Sequence, residues 1–599
     1  MKEIIIGIDL GTTNSAVAYV KDGIPQIIPI DGQPTMPSCV ALDPAGKLIV
    51  GTAARNMLIA APESTVLSVK RLMGRSAEVR LGEASYSPEE ISSFILRRLK
   101  EEAEAQLGTP IHKAVITVPA FFDERQRKAT KDAGSLAGLE VVRIINEPTA
   151  AALAYSAGKT ETEKVLVYDL GGGTFDVSVV QIEKGVVEVK ASRGDTHLGG
   201  DDFDLLLVDH VKALFLKKER ETLGGKFRTE RRLKVSLERA KCQLSDAPYT
   251  RVEEEFIQGD HHLQVELERA QFEQLVEPLL HKTLECVHQS LKDAAVTAGE
   301  LSKVLLVGGA TRSPVVHRML EAFLGQVPRS EVNPDLIVAL GASICAASIA
   351  GEHIHPVLVD IAAHTLSLIV LEGFDVGPVL RCSPIIRRNT PLPATKSELY
   401  RTVFDGQDTV KMDVYEGESI YPEENSPVGS FNVHGLAPVP EGNPVLVTFS
   451  LDLSGLLKVT ALEKLTGLSK SVTMDINEKG AAFDIESARA NIEGLLGLDG
   501  SPDDGDGNDD DGEGAPAGDR AAAGKDTAAG GPADKPLLAE AKELRQRAEA
   551  LLATELKEED ATDVREHLQQ SGDAIKSGDW QKLREHTDAL SDLVFYLED

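Results

Sequence analysis

Two short stretches of the chain repeat one order of residue types around an aspartate. Residues 8–13 read Ile-Asp-Leu-Gly-Thr-Thr, and residues 168–174 read Tyr-Asp-Leu-Gly-Gly-Gly-Thr. Glycines let backbone N–H groups approach a phosphate closely, and an aspartate can hold a cation that neutralises phosphate charge. The repeat therefore predicts two turns that grip a nucleotide from both sides, with Asp9 and Asp169 near a metal ion.

A third glycine turn and one lysine extend this pattern. Residues 304–312 read Val-Leu-Leu-Val-Gly-Gly-Ala-Thr-Arg and lead into a helical segment from Pro314. A single glycine turn is more often an ordinary turn, but three of them favour a nucleotide site. Lys70 is a candidate cation for the phosphates, although by composition alone it would be a surface lysine. Residues 158–160 resemble the end of a P-loop, but Leu153 stands where that motif needs glycine, so Walker-type chemistry is unsupported.

The strands around each turn must position these residues. Apolar runs at 4–6 and 165–167 precede the two aspartates, and β-prone runs at 16–20 and 175–180 follow the turns. This order predicts a β-hairpin that occurs twice. Up to about residue 350, further strand-like runs alternate with helical segments, which favours α/β architecture. The clearest helices are predicted at 88–107, from near Asp123 to Leu136, and around Glu230 to Leu244.

After residue 351 the sequence pattern changes several times. Residues 352–360 form a linker whose apolar Val357-Leu358-Val359 could be an edge strand or could dock reversibly in a groove. Short alternating runs between Gly, Pro and Asn turns predict an all-β sandwich over 361–480. The pattern then predicts a short helix over 481–497, a disordered acidic linker rich in Gly, Ala and Asp over 498–535, and a small helical bundle over 536–599.

Length, charge and cysteine content exclude several classes of protein. The 599 residues exceed what one core usually holds and indicate several domains. The formal net charge of −32 would repel nucleic acid and anionic lipid, so we expect no nucleic-acid partner and no membrane partner. The N-terminal residues resemble neither a signal peptide nor a membrane anchor. The five cysteines lack C-x-x-C spacing and are expected to be reduced, mostly buried thiols of a cytoplasmic protein.

Six segments together resemble the 70-kDa heat-shock chaperone family of the DnaK type. They are residues 7–15, 169–176 and 308–312, which match the three family signatures, and residues 118–122, 143–151 and 333–335. The resemblance runs from residue 1 to about 480, and its motifs are specific. It implies an α/β actin-like two-lobed ATPase domain over 1–351, coupled to a peptide-binding β-sandwich. The implied activity is that of an ATP-dependent chaperone for unfolded or extended polypeptides.

The resemblance also implies roles for single residues. Lys70 would orient the γ-phosphate or the attacking water, Glu147 and Asp169 would organise metal and water, and Thr174 would lie beside the γ-phosphate. The implied nucleotide-binding residues are Gly11, Thr12, Thr13, Gly171, Gly172, Gly173, Glu238, Lys241, Ser245, Gly308, Gly309, Arg312 and Asp335. The implied coupling residues between the domains are Pro119, Arg127, Arg143, Val357, Leu358, Val359 and Asp360. Val403 and Val410 would line the peptide pocket, although without the resemblance Val410 would be ordinary sandwich core.

The implied ligands and partners follow from the same resemblance. They are ATP or ADP, Mg²⁺, K⁺ and a J-domain (DnaJ-type) co-chaperone. The segment between Lys70 and Val118 is shorter than is usual in the family, which leaves dependence on a GrpE-type exchange factor open. The long helix that covers the family's peptide pocket has no counterpart after about residue 497. Sugar or polyol kinases and actin-like filament proteins share the ATPase architecture, but neither would carry a sandwich at 361–480.

Overall fold

The computed structural model describes most of the first 496 residues. The described residues are 3–159, 161–220, 222–224, 227–328, 333–352, 357–372, 378–473, 483–496, 565, 568, 570, 571 and 582. The chain separates into two compact units, Met1–Ser501 and Pro502–Asp599. The predicted linker over 498–535 and most of the predicted bundle over 536–599 lie outside the described residues. Within the part that is described, no helix is both long enough and apolar enough to cross a membrane.

The first lobe comprises residues 3–159 and contains the first predicted hairpin. Its elements are β1 (Ile5–Asp9), β2 (Asn14–Lys21), β3 (Ile24–Ile28), β4 (Met36–Pro37), β5 (Cys39–Leu42), β6 (Leu48–Val50), α1 (Thr52–Ala60), β7 (Thr65–Leu67), β8 (Val79–Leu81), β9 (Ala84–Tyr86), α2 (Pro88–Leu107), β10 (Lys113–Val118), α3 (Glu124–Leu136), β11 (Glu140–Asn146) and α4 (Glu147–Ser156). The main sheet has the order β11-β10-β1-β2-β3, with β4 paired to β2. Strands β1 and β2 are antiparallel and place Asp9 opposite Ala16, which confirms the hairpin.

Capping residues explain where two helices of this lobe begin. The Ser87 hydroxyl accepts the Glu90 N–H at 3.2 Å, and the Glu90 carboxylate accepts the Ser87 N–H at 2.6 Å. Asp123 and Gln126 make the same reciprocal pair at the start of α3. Such capping boxes satisfy N–H groups that the first turn of a helix leaves without partners. The predicted bounds of both helices are confirmed.

The second lobe contains the second hairpin and the third glycine turn. Its elements, with the linker strand that follows, are β12 (Glu163–Leu170), β13 (Phe175–Glu183), β14 (Val186–Asp195), α5 (Gly200–Glu219), α6 (Phe227–Asp246), β15 (Tyr249–Gln258), β16 (His261–Glu268), α7 (Arg269–Asp293), β17 (Lys303–Val307), α8 (Pro314–Leu324), α9 (Ile337–Ile349) and β18 (Val357–Val359). The sheet has the order β17-β12-β13-β14-β18. Strands β12 and β13 are antiparallel with Asp169 opposite Asp176, and β17 runs parallel to β12. The third glycine turn therefore lies beside the turn of the second hairpin.

Helices α4 and α9 join the two lobes. Their apolar side chains share one core cluster with residues from both sheets, including Val115 of the first sheet and Val167 of the second. Close backbone contact holds this junction, because a Cβ atom at Gly341 of α9 would lie 1.8 Å from the Ala150 carbonyl oxygen of α4. The glycine thus sets how closely the two helices approach.

A two-sheet sandwich and one helix complete the first unit. They are β19 (Leu366–Glu372), β20 (Val379–Ile386), β21 (Ala394–Arg401), β22 (Val410–Glu416), β23 (Ser426–Val433), β24 (Pro444–Leu451), β25 (Leu457–Glu463), β26 (Ser469–Thr473) and α10 (Ile485–Leu496). The sheets have the orders β20-β19-β22-β23 and β21-β24-β25-β26, and they enclose a separate apolar core. Helix α10 buries Ala488 and Ile492 in the core of the first lobe, and Asn491 Nδ2 donates to Glu90 at 3.1 Å.

Candidate functional site

The two hairpin turns and the turn after β17 meet at one cleft between the lobes. A cavity of about 310 Å³ opens there, which lies within the size range of small-molecule sites. Its walls hold most of the predicted catalytic and nucleotide-binding residues, namely Asp9, Gly11, Thr12, Thr13, Lys70, Glu147, Asp169, Gly171, Gly172, Thr174, Glu238, Lys241, Gly308, Gly309, Arg312 and Asp335. The fold therefore brings together residues from distant parts of the chain.

Close contact between the turns explains why glycine occupies them. A Cβ atom at Gly172 would lie 1.9 Å from the Thr13 hydroxyl oxygen, and one at Gly173 would lie 2.7 Å from the Thr12 methyl carbon. Gly308 has a φ of +82°, a backbone conformation that side chains disfavour. Gly173 is not part of the cavity wall, so the structure assigns it to the contact between the two hairpin turns.

Lys70 lies in the cleft as a buried cation. It belongs to a short 3-10 turn, Val69–Leu72, and only 3% of its surface is exposed. Its Nζ donates a hydrogen bond to Glu147 Oε1, and Glu147 is the first residue of α4. Because Lys70 is buried and paired, the alternative that it is a surface lysine is wrong. Removing either partner of such a buried pair would leave an uncompensated charge, which is strongly unfavourable.

Three carboxylates surround this one ammonium group. Burial, followed by repulsion from Glu147, raises the pKa of Asp9 to about 7. The same two causes raise the pKa of Asp169 well above its ordinary value. The Thr117 hydroxyl donates to Asp9 Oδ1 at 3.0 Å, a contact that the motifs did not indicate. The excess of negative charge favours a bound cation beside Asp9 and Asp169.

Mg²⁺ fits this set of donors. In the described part of the chain, no group of three or more Asp, Glu, His or Cys residues is arranged to hold a metal ion. Mg²⁺ does not need such a cage, because one or two carboxylates commonly hold it together with phosphate oxygens and water. Asp9 and Asp169 would supply the carboxylates, and a nucleotide would supply the phosphates. The role of K⁺ stays a prediction.

A second cavity, of about 460 Å³, adjoins the first on the side of α6. The two cavities share Lys241, Gly309 and Arg312, whereas Ser245 lines only the second. Arg312 forms an ion pair with Asp335 at 2.5 Å. Further lining residues that no prediction named include Cys242, Phe272 and His317. The position of Ser245 agrees with the predicted adenosine side of the site.

Polar contacts join the two lobes across the cleft. The Ser68 hydroxyl donates to Asp201 Oδ2 at 2.6 Å, and Arg71 contacts both carboxylate oxygens of Asp202 at 2.9 and 3.0 Å. Arg55 pairs with Glu238 at 2.6 Å, so this predicted adenosine residue also binds the first lobe. No motif predicted these contacts, because their partners lie more than 100 positions apart in the chain.

Asp176 links the second hairpin to the segment that follows Pro119. Its carboxylate accepts the N–H groups of Ala120 and Phe121, each at 3.1 Å. Burial, followed by repulsion from Glu147, raises the pKa of Asp176 to about 7. The Phe121 carbonyl oxygen lies 3.1 Å from His364 Nε2 at the beginning of the sandwich. The predicted coupling position at Pro119 therefore lies between the cleft and the sandwich.

Arg127 is the most connected of the predicted coupling residues. Its guanidinium donates to Asn146 Oδ1 at 2.8 Å, to the Ala120 carbonyl at 3.1 Å and to the Ser454 carbonyl of the sandwich at 3.5 Å. Arg143 takes a different position, beside the Cys345 thiol of α9. The structure therefore separates these two residues, and of the two only Arg127 has a hydrogen bond to the sandwich among the described contacts.

The apolar linker adds a strand to the sheet of the second lobe. Val357, Leu358 and Val359 pair in parallel with residues 186–188 of β14. The Asp360 carboxylate then accepts hydrogen bonds from Asn146 Nδ2 at 3.0 Å and from the Thr149 hydroxyl at 3.1 Å. Because β18 is the last strand of this sheet, the edge-strand alternative is confirmed, and reversible docking in a groove stays a prediction.

The two predicted peptide-pocket residues lie in the sandwich. Val410 begins β22, is half-buried and packs against the sandwich core. Val403 lies in the connection between β21 and β22, where its N–H donates to Gln407 Oε1 at 3.0 Å. The peptide-binding role of both residues stays a prediction.

Comparison with known families gives one match. A family model described as Hsp70 protein matches residues 5–596. The match spans the two lobes, the linker strand, the sandwich and α10.

Proposed function

Because the chain belongs to the Hsp70 family, we propose that it is an ATP-dependent chaperone that binds and releases extended apolar segments of unfolded proteins. Members of this family are ATPases that bind ATP and ADP with Mg²⁺. The two-lobed cleft and the sandwich supply the two sites that this activity requires. All five cysteines are free, and we place the protein in the cytoplasm.

Hydrolysis would take place in the 310 Å³ cleft. Phosphoryl transfer to water depends mainly on positioning and on stabilisation of charge that develops on the phosphate oxygens. Lys70 would supply positive charge at the γ-phosphate, and Glu147 fixes its ammonium group. Thr174 and the backbone N–H groups of the glycine turns would bind the remaining phosphate oxygens.

Mg²⁺, when bound beside Asp9 and Asp169, would neutralise phosphate charge. The Asp9 and Asp169 carboxylates would orient the ion, since the Thr117 hydroxyl already holds Asp9 in place. On the other side, Glu238, Lys241, Ser245 and Arg312 would hold the adenosine. The arrangement of the two adjoining cavities supports this division between phosphates and base.

The proposal that the cleft controls the sandwich rests on a series of polar contacts, with one backbone step, that leads from Lys70 to Asp360. Lys70 pairs with Glu147, which follows Asn146 directly in the chain. Asn146 contacts both Arg127 and Asp360, and these two residues lie where the sandwich meets the lobes. A change of phosphate charge at Lys70 would therefore alter contacts that hold the linker strand and the sandwich.

The sandwich would hold the peptide client. An extended peptide adds backbone hydrogen bonds at a sheet edge and places alternate side chains in pockets. Val403 and Val410 are our proposed pocket residues. A J-domain protein would deliver clients, and the need for a GrpE-type exchange factor stays open.

A peptide-stimulated ATPase assay tests this function. We expect an unfolded apolar peptide to raise ATP turnover severalfold, and a J-domain protein to raise it further. A matched peptide with the apolar residues replaced by serine should have little effect. A kinase of the same architecture would instead respond to a small sugar or polyol, and this response without a peptide response would reject the proposal.

A further inference from the structure

Two carboxyl groups from different domains meet where the sandwich contacts α3. Glu124 is the first residue of α3 in the first lobe, and Glu416 ends β22 of the sandwich. The Glu124 N–H donates to Glu416 Oε2 at 3.2 Å. The Glu124 carboxylate accepts the Leu457 N–H of the sandwich at 2.8 Å. At this interface Glu124 is buried and Glu416 is half-buried.

A small polar cavity lies beside this pair. Its volume is about 20 Å³, which is room for one water molecule. Glu124, Glu416, Arg127 and His364 line it. The His364 ring packs against Phe121 with a centroid distance of 4.1 Å. The junction thus contains two acids, one imidazole and one guanidinium group around a cavity of this size.

The nearest basic side chains, Arg127 and His364, have other hydrogen-bond partners. Arg127 directs its N–H groups to the oxygens of Ala120, Phe122, Asn146 and Ser454, and no ion pair joins it to Glu124 or Glu416 among the described contacts. His364 Nε2 lies against the Phe121 carbonyl oxygen. The neighbouring acids Asp123 and Asp452 add negative charge. Among the ion pairs of the described residues, neither carboxylate therefore has a partner.

This environment raises the pKa of both carboxyl groups. Burial is the main cause that raises the pKa of Glu124 well above its ordinary value, and Glu416 adds to the shift. Burial also raises the pKa of Glu416, against the opposing effect of His364. Each carboxyl group thus holds a proton more tightly in the docked arrangement than it would in water.

We propose that Glu124 and Glu416 form a proton-dependent latch, which holds the sandwich against the first lobe at low pH and releases it as the pH rises. Protonation of either carboxyl group removes the repulsion that two ionised carboxylates exert on each other across the interface. The latch would make domain docking a function of pH as well as of nucleotide.

The direction in which docking depends on pH follows from proton linkage. When the domains separate, both carboxyl groups meet water and regain their ordinary pKa, about 4.3 for glutamate. Docking raises both pKa values, so docking takes up protons. The contribution to docking is fully present below the ordinary pKa and is lost as the pH rises through the docked-state pKa. Each proton taken up changes the docking constant by up to about tenfold per pH unit.

Amide exchange at Leu457 provides the test, because its N–H bonds to Glu124 across the interface. We would measure the protection factor of this amide by mass spectrometry on the full chain from pH 4.5 to pH 8, with a non-hydrolysable ATP analogue. Dividing the intrinsic rate by the observed rate at each pH removes the ordinary pH dependence of exchange. For the unmodified protein we expect protection to fall at least tenfold over this range.

Three variants give the test its direction. Glu416→Gln and Glu124→Gln should keep at pH 8 the protection that the unmodified protein has at pH 6. Glu398→Gln, at an exposed position of β21, should retain the full pH dependence. An unchanged pH slope in both latch variants, or no slope in the unmodified protein, would overturn the proposal. So would a slope that disappears only in His364→Gln, because the imidazole would then be the titrating group.

Peptide stimulation of the ATPase is a separate measurement, so failure of the chaperone proposal would be recognised independently.

Discussion

At the scale of single residues, the cleft depends on one buried ammonium group. We expect Lys70→Ala to lower the rate of ATP hydrolysis at least about a hundredfold, the usual effect of removing one charge-stabilising group. ATP affinity should change only a few-fold, because the glycine turns and the residues around Arg312 still bind the nucleotide. Single-turnover hydrolysis and calorimetric binding measure the two quantities separately.

A matched lysine supplies the control for this prediction. Lys164 pairs with Glu300 at 2.8 Å on the surface, and exposed pairs contribute about 0–1 kcal/mol to stability. Lys164→Ala should therefore leave hydrolysis unchanged. Loss of ATP binding in Lys70→Ala would contradict the assigned role, and so would full activity. A thermal melt of each variant separates these results from unfolding, since Lys70→Ala leaves Glu147 buried without its partner.

The thiols give a second prediction at this scale. Cys242 is exposed and lines both cavities of the site, whereas Cys39, Cys345 and Cys382 are buried. We expect an alkylating reagent to modify Cys242 first and bound ATP to slow that reaction at least tenfold. Although Cys242 is exposed, partial desolvation in the cavity wall raises the pKa of its thiol, so alkylation should accelerate as the pH rises toward that pKa. Peptide mass spectrometry after timed quenching measures the rate at each cysteine.

Control measurements make the thiol experiment specific. Cys242→Ser should remove the fast-reacting site, and a nucleotide-independent rate at Cys242 would show that ATP does not occupy these cavities. Cys286 is half-buried, and burial raises the pKa of its thiol to about 11. It should react slowly with or without ATP.

Residue types and spacing predicted the site well where function requires a specific chemistry. The glycine turns, Lys70 and the acids Asp9 and Asp169 could be found because phosphate binding restricts which residues can stand there. Thr117, the partner of Asp9, could not be found because it has no local signature. Asp176 ends the matched segment 169–176, but the pattern gave no indication of its contacts with Ala120 and Phe121. Their roles depend on strands that are adjacent only in the folded sheets.

At the scale of elements, the linker strand β18 connects the sandwich to the second lobe. Leu358 is half-buried against the core between the lobes, whereas Val357 is 55% exposed. We expect Leu358→Asp to weaken docking of the linker by at least about tenfold, because it loses apolar contact and buries a charge. Peptide should then no longer stimulate ATP hydrolysis. Val357→Asp has the same chemistry in an exposed position and should keep most of the stimulation.

Amide exchange of residues 357–359 measures docking in both variants directly. An equal effect of the two substitutions would contradict the burial argument. Peptide stimulation that survives in Leu358→Asp would show that coupling does not pass through β18.

Elements differed in how far their positions could be predicted. Apolar runs around each Asp-Leu-Gly turn indicated the hairpins, and the helices predicted over 88–107 and from near Asp123 to Leu136 correspond to α2 and α3. The pattern over 481–497 indicated a helix, and α10 spans Ile485–Leu496. Its location on the first lobe was not predictable, because an apolar stripe shows which face is buried and not which surface buries it.

At the scale of the whole molecule, the interface between the sandwich and the lobes brings together residues of the proposed coupling path, the linker and the proposed latch. Arg127, Asp360 and Glu124 all lie where the sandwich meets the lobes. Arg127 and Asp360 contact Asn146, the neighbour of Glu147 in the cleft, and Glu124 bonds to Leu457 of the sandwich. Composition and periodicity predicted a change from α/β to all-β near residue 360. They could not predict that the two parts would be docked, because docking depends on long-range pairs such as Arg388 with Asp293, at 3.0 Å.

The division into two compact units leads to the last prediction, which concerns the C-terminal part. Residues Pro502–Asp599 form the second unit, while the cleft, linker strand and sandwich all belong to the first. We therefore expect deletion of residues 498–599 to leave the melting temperature of the first unit and its basal ATP hydrolysis unchanged. Peptide release should accelerate by less than about tenfold, which corresponds to less than about 1.4 kcal/mol. Fluorescent-peptide dissociation, with ADP bound, measures this rate. A collapse of peptide affinity in the truncated chain would show that the second unit covers the bound peptide, and the sandwich alone would then not be the complete binding site.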